Sequence, residues 1–448
     1  MFKLLFINLI INIMQIFHQK YHKFNLTKIL MYSQPKVTKY ILWLLPLVTF
    51  STPLSTFITN VLMITFMVLW LLEGNYINKA NMVLNTNYLP IFIIIFSLIL
   101  GSIYSIAPFK DIMHYLNKMH KLIYLLFLAP YFKDANLRKN CINSFITAGL
   151  ITVFIGLYLN KSNLFKNSID TSLVVSLSAF FLMHKLIHQI EADPKKKFRL
   201  FNLINIFFII ISVFYLFYRA CNRTSQIIFL LLTITFIFQK FNTLKKHFIF
   251  SSILILLVIS SMCCLFLHRN FHCFWVALIH QYKNFNFTKN ELNSFNQRSV
   301  YYLNGLNLIK ENPILGTGTG SFPLVYKNFV IKHKLFNLDN QEALFTTNPH
   351  NEYLLFGSQF GIYGILLLLW WFGKLFKTSF KIDPNLEEKY ILQGLIINMF
   401  IGCSLNSWLL DFTAGHLFII FTAICLGALA NENITQHNRT VVRPSYQF

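Results

Sequence analysis

The chain has 448 residues, of which 55% are hydrophobic and 12% are charged, and its mean hydropathy is +0.53. Soluble domains carry about 25% charged residues, so this composition excludes a soluble enzyme or binding module. The net charge of +23 would suit a nucleic-acid partner, but in a membrane protein an excess of Lys and Arg marks loops that face the cytoplasm. The sequence therefore predicts an all-α polytopic membrane protein with no nucleic-acid partner.

The first segment, residues 1–39, is predicted to lie in the cytoplasm or on the membrane surface. Its first 19 residues are apolar, no small-residue cleavage site follows them, and the next stretch is basic. This order favours an interfacial anchor over a signal peptide. Met31 is an alternative start of the protein.

Twelve apolar runs follow, several of them shorter than the roughly 20 residues that a spanning helix needs. Residues 40–267 hold nine predicted helices, residues 352–430 hold three, and residues 431–448 form a predicted cytoplasmic tail. The first two runs flank Pro53 and could also form one broken span. The predicted spans are 40–56, 58–73, 88–107, 120–132, 141–159, 171–187, 200–218, 225–239, 247–267, 352–373, 389–409 and 412–430.

The distribution of positive charge gives the predicted orientation. If both termini are cytoplasmic, the inside segments hold 23 Lys and Arg residues and the short outside loops hold seven. The positive-inside rule predicts this asymmetry. One spanning helix more or fewer would scramble it, so the charges favour an even number of spans.

Residues 268–351 form the one long hydrophilic stretch and are predicted to lie outside. A connection of this length usually carries function. Thr288–Glu291 has the pattern of a capping box, and Pro313 ends the helix predicted after it. The Gly-rich segment Gly316–Gly320 lacks the features of a phosphate loop and predicts a tight turn or a close approach to a ligand. The predicted helix repeats Leu292, Phe295, Ser299, Tyr302, Leu306 and Ile309 on one face.

Arginine is scarce, with eight residues against 31 lysines, yet four of the eight fall on the predicted outer side. A guanidinium binds phosphate oxygens with two hydrogen bonds and keeps its charge when partly buried. Each arginine could instead extend towards lipid headgroups. The four together favour a phosphate site, and they are Arg219, Arg223, Arg269 and Arg298.

His350 is the second candidate, because it lies where the outer segment meets the tenth predicted span. Its imidazole can accept a proton near neutral pH, as a general base must. Asn351 and Glu352 could orient the ring. The spacing is equally typical of a hydrogen-bonded histidine at a helix start.

No metal site is predicted. His268–Cys273 contains two histidines and a cysteine, but no carboxylates lie nearby and there is no second ligand pair. The seven cysteines are scattered, mostly within apolar runs, and show no disulfide framework or zinc-type spacing.

Taken together, the motifs resemble those of the O-antigen ligase and polymerase superfamily. The resemblance rests on an arginine in a short outer loop, an arginine on an outer helix, and then Asn312–Gly318, Pro349–Leu354 and Gly361–Gly364. It is specific over roughly 200–375, and the rest of the chain agrees by its hydropathy plan. The size, the twelve predicted spans and the single large loop are most similar to an O-antigen ligase.

That resemblance implies a GT-C-like fold with one large periplasmic helical loop, and an enzyme of the bacterial inner membrane. The enzyme would transfer a polysaccharide from undecaprenyl diphosphate to a sugar of the lipid A core, with inversion and without ATP, cofactor or a required metal. His350 would take the proton from the acceptor hydroxyl. Arg223 and Arg298 would hold the diphosphate, with Arg219 competing with Arg223, and Gly316 and Gly318 would support the site.

Other functions remain open at this stage. A polymerase that extends the lipid-linked glycan shares the same motifs. A ligase that attaches glycans to protein hydroxyls is disfavoured because such enzymes tend to be longer. A transporter would predict ionisable residues at mid-span and two related halves, whereas the acidic residues here are expected almost wholly in loops.

Overall fold

The computed structural model describes residues 26–159, 167–192, 200–220, 223–241, 294–333 and 345–429, and the regular structure in these residues is helical throughout. A 3₁₀ turn at Tyr131–Lys133 follows α6, and a π-helix at Tyr215–Ala220 continues α9. The helices are α1 Leu26–Leu54, α2 Thr56–Glu73, α3 Tyr76–Val83, α4 Leu89–Ile103, α5 Phe109–Met119, α6 Lys121–Leu128, α7 Ala135–Tyr158, α8 Ser168–Ala192, α9 Leu200–Phe214, α10 Arg223–Gln239, α11 Ser294–Glu311, α12 Phe322–Lys332, α13 Glu352–Ser379, α14 Glu387–Leu405 and α15 Phe412–Gly427.

Six stretches of the described residues are long and apolar enough to cross a membrane, and α4, α10 and α15 are shorter apolar helices. An all-α polytopic membrane protein is therefore confirmed, while the number of twelve spans and the domain boundaries stay predictions. The predicted span 247–267 lies outside the described residues. The six stretches are Pro35–Leu54, Thr56–Glu73, Ala135–Tyr158, Ser168–Glu191, Asn202–Ala220 and Glu352–Ser379.

The structure shows which helices form at the predicted spans 40–56, 58–73 and 120–132. α1 and α2 are separate antiparallel helices, because Ser51 Oγ lies 3.1 Å from Thr59 Oγ1 and Thr38 also hydrogen-bonds Glu73. The span predicted at 120–132 is wrong as a single helix. α6 has eight residues, which is about 12 Å of helix and too short to cross a bilayer alone.

Buried ion pairs mark one end of the helix bundle, named here the Arg138 end. Arg138 Nε lies 2.7 Å from Glu388 Oε1, joining the start of α7 to the start of α14. At the same end, Gln239 Nε2 donates to the carbonyl of Tyr390, so α10 finishes where α14 begins. α10 and α14 therefore run antiparallel, and the start of α10 lies towards the opposite end, where α14 finishes.

α13 is broken at Gly361, whose φ of 64° and ψ of −158° interrupt the helix. The break leaves the carbonyls of Ser358 and Gln359 without their helical donors. Thr317 N and Gly318 N donate to these carbonyls over 3.1 and 2.8 Å, and Ile362 N donates to Pro313 O over 2.7 Å. Polar backbone groups at membrane depth need such partners. The Gly-rich loop after α11 therefore supplies the hydrogen bonds that the broken helix lacks.

Candidate functional site

His350 occupies a conformation that a non-glycine residue seldom adopts. Its φ is +53°, in the left-handed region, and the buried Pro349 precedes it. Asn348 Oδ1 holds the segment by accepting from His350 N over 2.9 Å and from Ser407 Oγ over 2.6 Å. Asn351 then caps α13 by accepting from Leu354 N. Strained backbone of this kind is held in place by its surroundings and is typical of functional sites.

The imidazole of His350 is oriented by a relay of two further side chains. Asn406 Nδ2 donates to Asp411 Oδ2 over 2.9 Å, so Asn406 Oδ1 faces the ring. His350 Nδ1 lies 2.9 Å from that oxygen. Because an amide oxygen accepts and cannot donate, Nδ1 carries the proton and the neutral ring presents an unprotonated Nε2. The relay therefore fixes the tautomer that a general base requires.

The segment from Ser404 to Asp411, named here the 404–411 turn, packs directly against the His350 segment. The carbonyl of Ser404 accepts from Asn351 Nδ2 over 3.0 Å. Glu352 is fully buried, and its Oε2 accepts from Leu409 N and Leu410 N over 2.9 and 3.3 Å. These bonds join two parts of the chain that lie more than fifty residues apart.

On its other side, the imidazole faces helix α11. The ring of Tyr301 lies over that of His350, with centroids 6.3 Å apart and planes 25° from parallel. Tyr302 OH donates to the carbonyls of both His350 and Ser404. Arg298, half-buried and one turn earlier, donates from Nη1 to Leu405 O over 3.5 Å. A guanidinium thus lies at the same end of the bundle as the imidazole.

The two remaining predicted arginines lie on or beside α10. Arg223 is its first residue, so its backbone is at the end of the bundle where α14 finishes. Arg219 lies in the π-helix beside Tyr215, and its Nε is buried without a hydrogen-bond partner among the described residues. In the described residues no hydrogen bond joins Arg219 to His350 or Arg298.

The pKa of the Asp411 carboxyl is raised in the folded protein. Burial raises its pKa to about 7, and the negative charge of Asp170 raises it further. The positive charges of Lys121 and Lys118 oppose this rise. In both protonation states Asp411 can accept from Asn406, but the charge behind the relay changes near neutral pH.

Several predicted supporting residues have different surroundings from those expected. Asn351 and Glu352 bind the 404–411 turn rather than the imidazole, and Asn406 is the residue that orients the ring. Gly316 and Gly318 lie in the loop that hydrogen-bonds to the break in α13. The amide groups of residues 317–320 all donate to protein oxygens, so they do not form an anion site.

Sequence reasoning missed Asn406, Asp411 and the hydroxyl of Tyr302. A signal was present, because Asn406 and Ser407 are polar residues at the end of the predicted span 389–409, and Asp411 lies between it and the next predicted span. On the apolar face predicted for this helix, Leu306 is 48% exposed and Ile309 is buried; the other buried residues of α11 include Val300, Tyr301, Asn304 and Leu308.

The cysteines and metal ligands give no further site in the described residues. There, no group of three or more His, Cys, Asp and Glu side chains could hold a metal ion. Cys141, Cys403 and Cys425 are free and buried. The segment His268–Cys273, Arg269 and the capping box at 288–291 lie outside the described residues.

Residues 206–369 match the family model described as O-antigen ligase. The match includes Arg219, Arg223, Arg298 and His350, and over these residues it supports the resemblance to the superfamily that the motifs predicted. No curated protein matches the chain. The match supports a membrane enzyme of the O-antigen ligase or polymerase type.

Proposed function

We propose that this member of the O-antigen ligase superfamily transfers a polysaccharide from undecaprenyl diphosphate to a sugar of the lipid A core. The observation that supports the proposal is the His350–Asn406–Asp411 relay, which assigns the proton of the neutral ring to Nδ1, with Arg298 at the same end of the bundle. The His350 end of the bundle faces the periplasm of the inner membrane, and both chain termini are cytoplasmic. Donor and acceptor are both lipids, which fits a polytopic membrane protein.

His350 acts as the general base in this proposal. The acceptor hydroxyl oxygen attacks the anomeric carbon of the donor, the bond from that carbon to the diphosphate breaks, and the hydroxyl proton passes to Nε2. Attack opposite to the leaving group inverts the anomeric centre. A positioned base contributes about 10²–10⁴-fold to such a step. The Asn406 relay keeps the ring correctly oriented before and after it takes the proton.

The arginines stabilise the leaving group. Undecaprenyl diphosphate gains negative charge as the glycosidic bond breaks, and a fixed guanidinium stabilises that charge where it develops. In this proposal the diphosphate is bound by Arg298 of α11 and by Arg223, the first residue of α10, with Arg219 as the alternative to Arg223. The polyprenyl chain remains among the membrane helices while its diphosphate enters the site.

The proposal is tested with His350→Ala in cells that lack the native copy of the protein. We expect the variant to remain in the membrane and to leave the lipid A core without polysaccharide, on a gel of surface glycans. His333→Ala is the matched control, because His333 is exposed at the end of α12. Normal transfer by His350→Ala would remove His350 from the mechanism.

Arg223→Lys and Arg298→Lys test how the diphosphate is bound. Both variants keep the positive charge but lose the two-point geometry, so we expect each to lose most of its activity. Arg439→Lys, in the predicted cytoplasmic tail, is the control. If lysine suffices at both positions, binding of phosphate by paired guanidinium hydrogen bonds is wrong.

Deletion of the protein separates ligation from polymerisation. A ligase leaves the core uncapped and lets lipid-linked polymer accumulate. A polymerase instead leaves a single repeat unit on the core. Transfer to protein would appear as loss of glycosylated protein, and a transporter would leave the linkage chemistry intact in isolated membranes supplied with both lipids.

A further inference from the structure

A buried cation lies behind the 404–411 turn and has no part in the chemistry described above. Lys121, the first residue of α6, is 2% exposed. Its Nζ donates to the carbonyl of Asp411 over 2.6 Å and to that of Leu410 over 3.1 Å. A buried ammonium needs partners of this kind, because removing it from water is costly.

Glu352 holds the same turn through its amide groups. Its carboxylate accepts from Leu409 N and Leu410 N, while Lys121 donates to the carbonyls that follow. The peptide units around Leu410 are thus bound on their N–H side by the Glu352 carboxyl and on their C=O side by the Lys121 ammonium. The Asn406 and Asp411 side chains that orient His350 belong to this turn.

The position of Lys121 is not explained by helix stability. It lies against the start of α15, where the helix dipole disfavours a positive charge. A Cβ on Gly415 would come within 2.8 Å of Lys121 Nζ, so α15 has a glycine where the ammonium passes. When ionised, the carboxyls of Asp411, Glu352 and Asp170 favour the charged ammonium, while its burial and the charge of Lys118 oppose it.

We propose that Lys121 and Glu352 are positioning residues that clamp the 404–411 turn and thereby set the orientation of the His350 imidazole. This inference rests on the proposed function for its catalytic consequence. The clamp itself is a statement about the turn and can be tested separately. Neither residue contacts the imidazole, so both act through Asn406.

The catalytic test uses Lys121→Met, which keeps the length of the side chain and removes its charge. With purified protein, undecaprenyl-diphosphate-linked glycan and uncapped lipopolysaccharide, we expect kcat to fall at least about tenfold and the KM for the donor to change less than about twofold. Lys110→Met, at an exposed lysine near the start of α5, removes the same charge and should leave both constants unchanged. A rise in KM at constant kcat would overturn the inference.

A double-mutant cycle distinguishes positioning from general destabilisation. If Lys121 acts through Asn406, then Lys121→Met should cost less than about threefold in kcat when Asn406 is already alanine. Additive losses would overturn the inference. Gly415→Ala is a second route to the same displacement, because its methyl group meets Lys121 Nζ, and it should reproduce the loss if Lys121→Met does not fold.

Hydrogen exchange measures the clamp without any substrate. We expect Lys121→Met and Glu352→Gln to speed the exchange of the amides in residues 404–411 and 346–351 at least about tenfold, while Lys110→Met leaves them unchanged. Unchanged exchange would overturn the clamp. Faster exchange together with full transfer activity in His350→Ala would instead show that the clamp exists and that the proposed function fails.

Discussion

Replacement of Gly361 by alanine tests whether the break in α13 requires glycine at this position. Gly361 has a φ of 64° and a ψ of −158°, which side-chain-bearing residues essentially never adopt. An added Cβ would also lie 2.4 Å from Ile314 C and 2.5 Å from Pro313 O. Both contacts are with backbone, so the Gly-rich loop itself would have to move.

The cost follows from the contacts that would be lost. Backbone strain at such a position costs about 1–3 kcal/mol. If the loop moves, the bond from Ile362 N to Pro313 O is lost, and the carbonyls of Ser358 and Gln359 lose Thr317 N and Gly318 N. Each buried group left unpaired costs about 1–3 kcal/mol. We therefore expect Gly361→Ala to lower the free energy of unfolding by about 4 kcal/mol or more, the sum of the lower limits for the strain and the three lost contacts.

Gly373→Ala is the matched control, because Gly373 lies in the same helix and an added Cβ meets nothing within 4 Å. Alanine favours a helix over glycine by about 1 kcal/mol, so this variant should be slightly more stable than the parent protein. Thermal unfolding of both variants in the same detergent measures the difference. Equal unfolding midpoints for Gly361→Ala and the parent would refute the account of the broken helix.

Two further predictions concern the site. Tyr302→Phe removes the hydroxyl that donates to the carbonyls of His350 and Ser404, and we expect the transfer rate to fall about tenfold, or about 1.4 kcal/mol in barrier height, with little change in donor KM in a steady-state assay. Asp411 has a pKa of about 7 in the folded protein, above that of an unfolded chain, so its ionisation destabilises the fold as pH rises from about 4 to about 7. As pH rises across that range, the thermal stability of Asp411→Asn relative to the parent protein should therefore increase, and above about pH 8 the difference should stay constant. A difference that is the same at all pH values would contradict this.

The sequence predicted features that depend on local pattern. Apolar runs predicted the six described helices that are long and apolar enough to cross a membrane, and the residues around Pro349 placed His350 immediately before α13. The helix break at Gly361 was not predicted, because glycine in an apolar helix equally permits close packing. The carbonyls that the break exposes, and the loop that satisfies them, are set by tertiary contacts.

The partners of His350 could not be found by spacing. Asn406 lies 56 residues after His350, and the antiparallel packing of α13 and α14 is what brings them together. The expectation that acidic residues lie in loops was wrong for Glu352 and Glu388, which are buried in the first turns of α13 and α14. Both carboxylates are paired across helices, and such pairing is invisible in a hydropathy profile.

The end of α14 explains how an arginine can be held at the site and still be available to a ligand. The last carbonyls of a helix have no donors within it and carry partial negative charge. Ser404 O is satisfied by Tyr302 and Asn351, whereas Leu405 O meets Arg298 at 3.5 Å, a long contact. A hydrogen bond of that length is weak, so the guanidinium is attracted to the end of the helix without being strongly bound there. Arg298 could therefore leave Leu405 O for a diphosphate at little cost in protein contacts, which is the property that a reusable anion site requires.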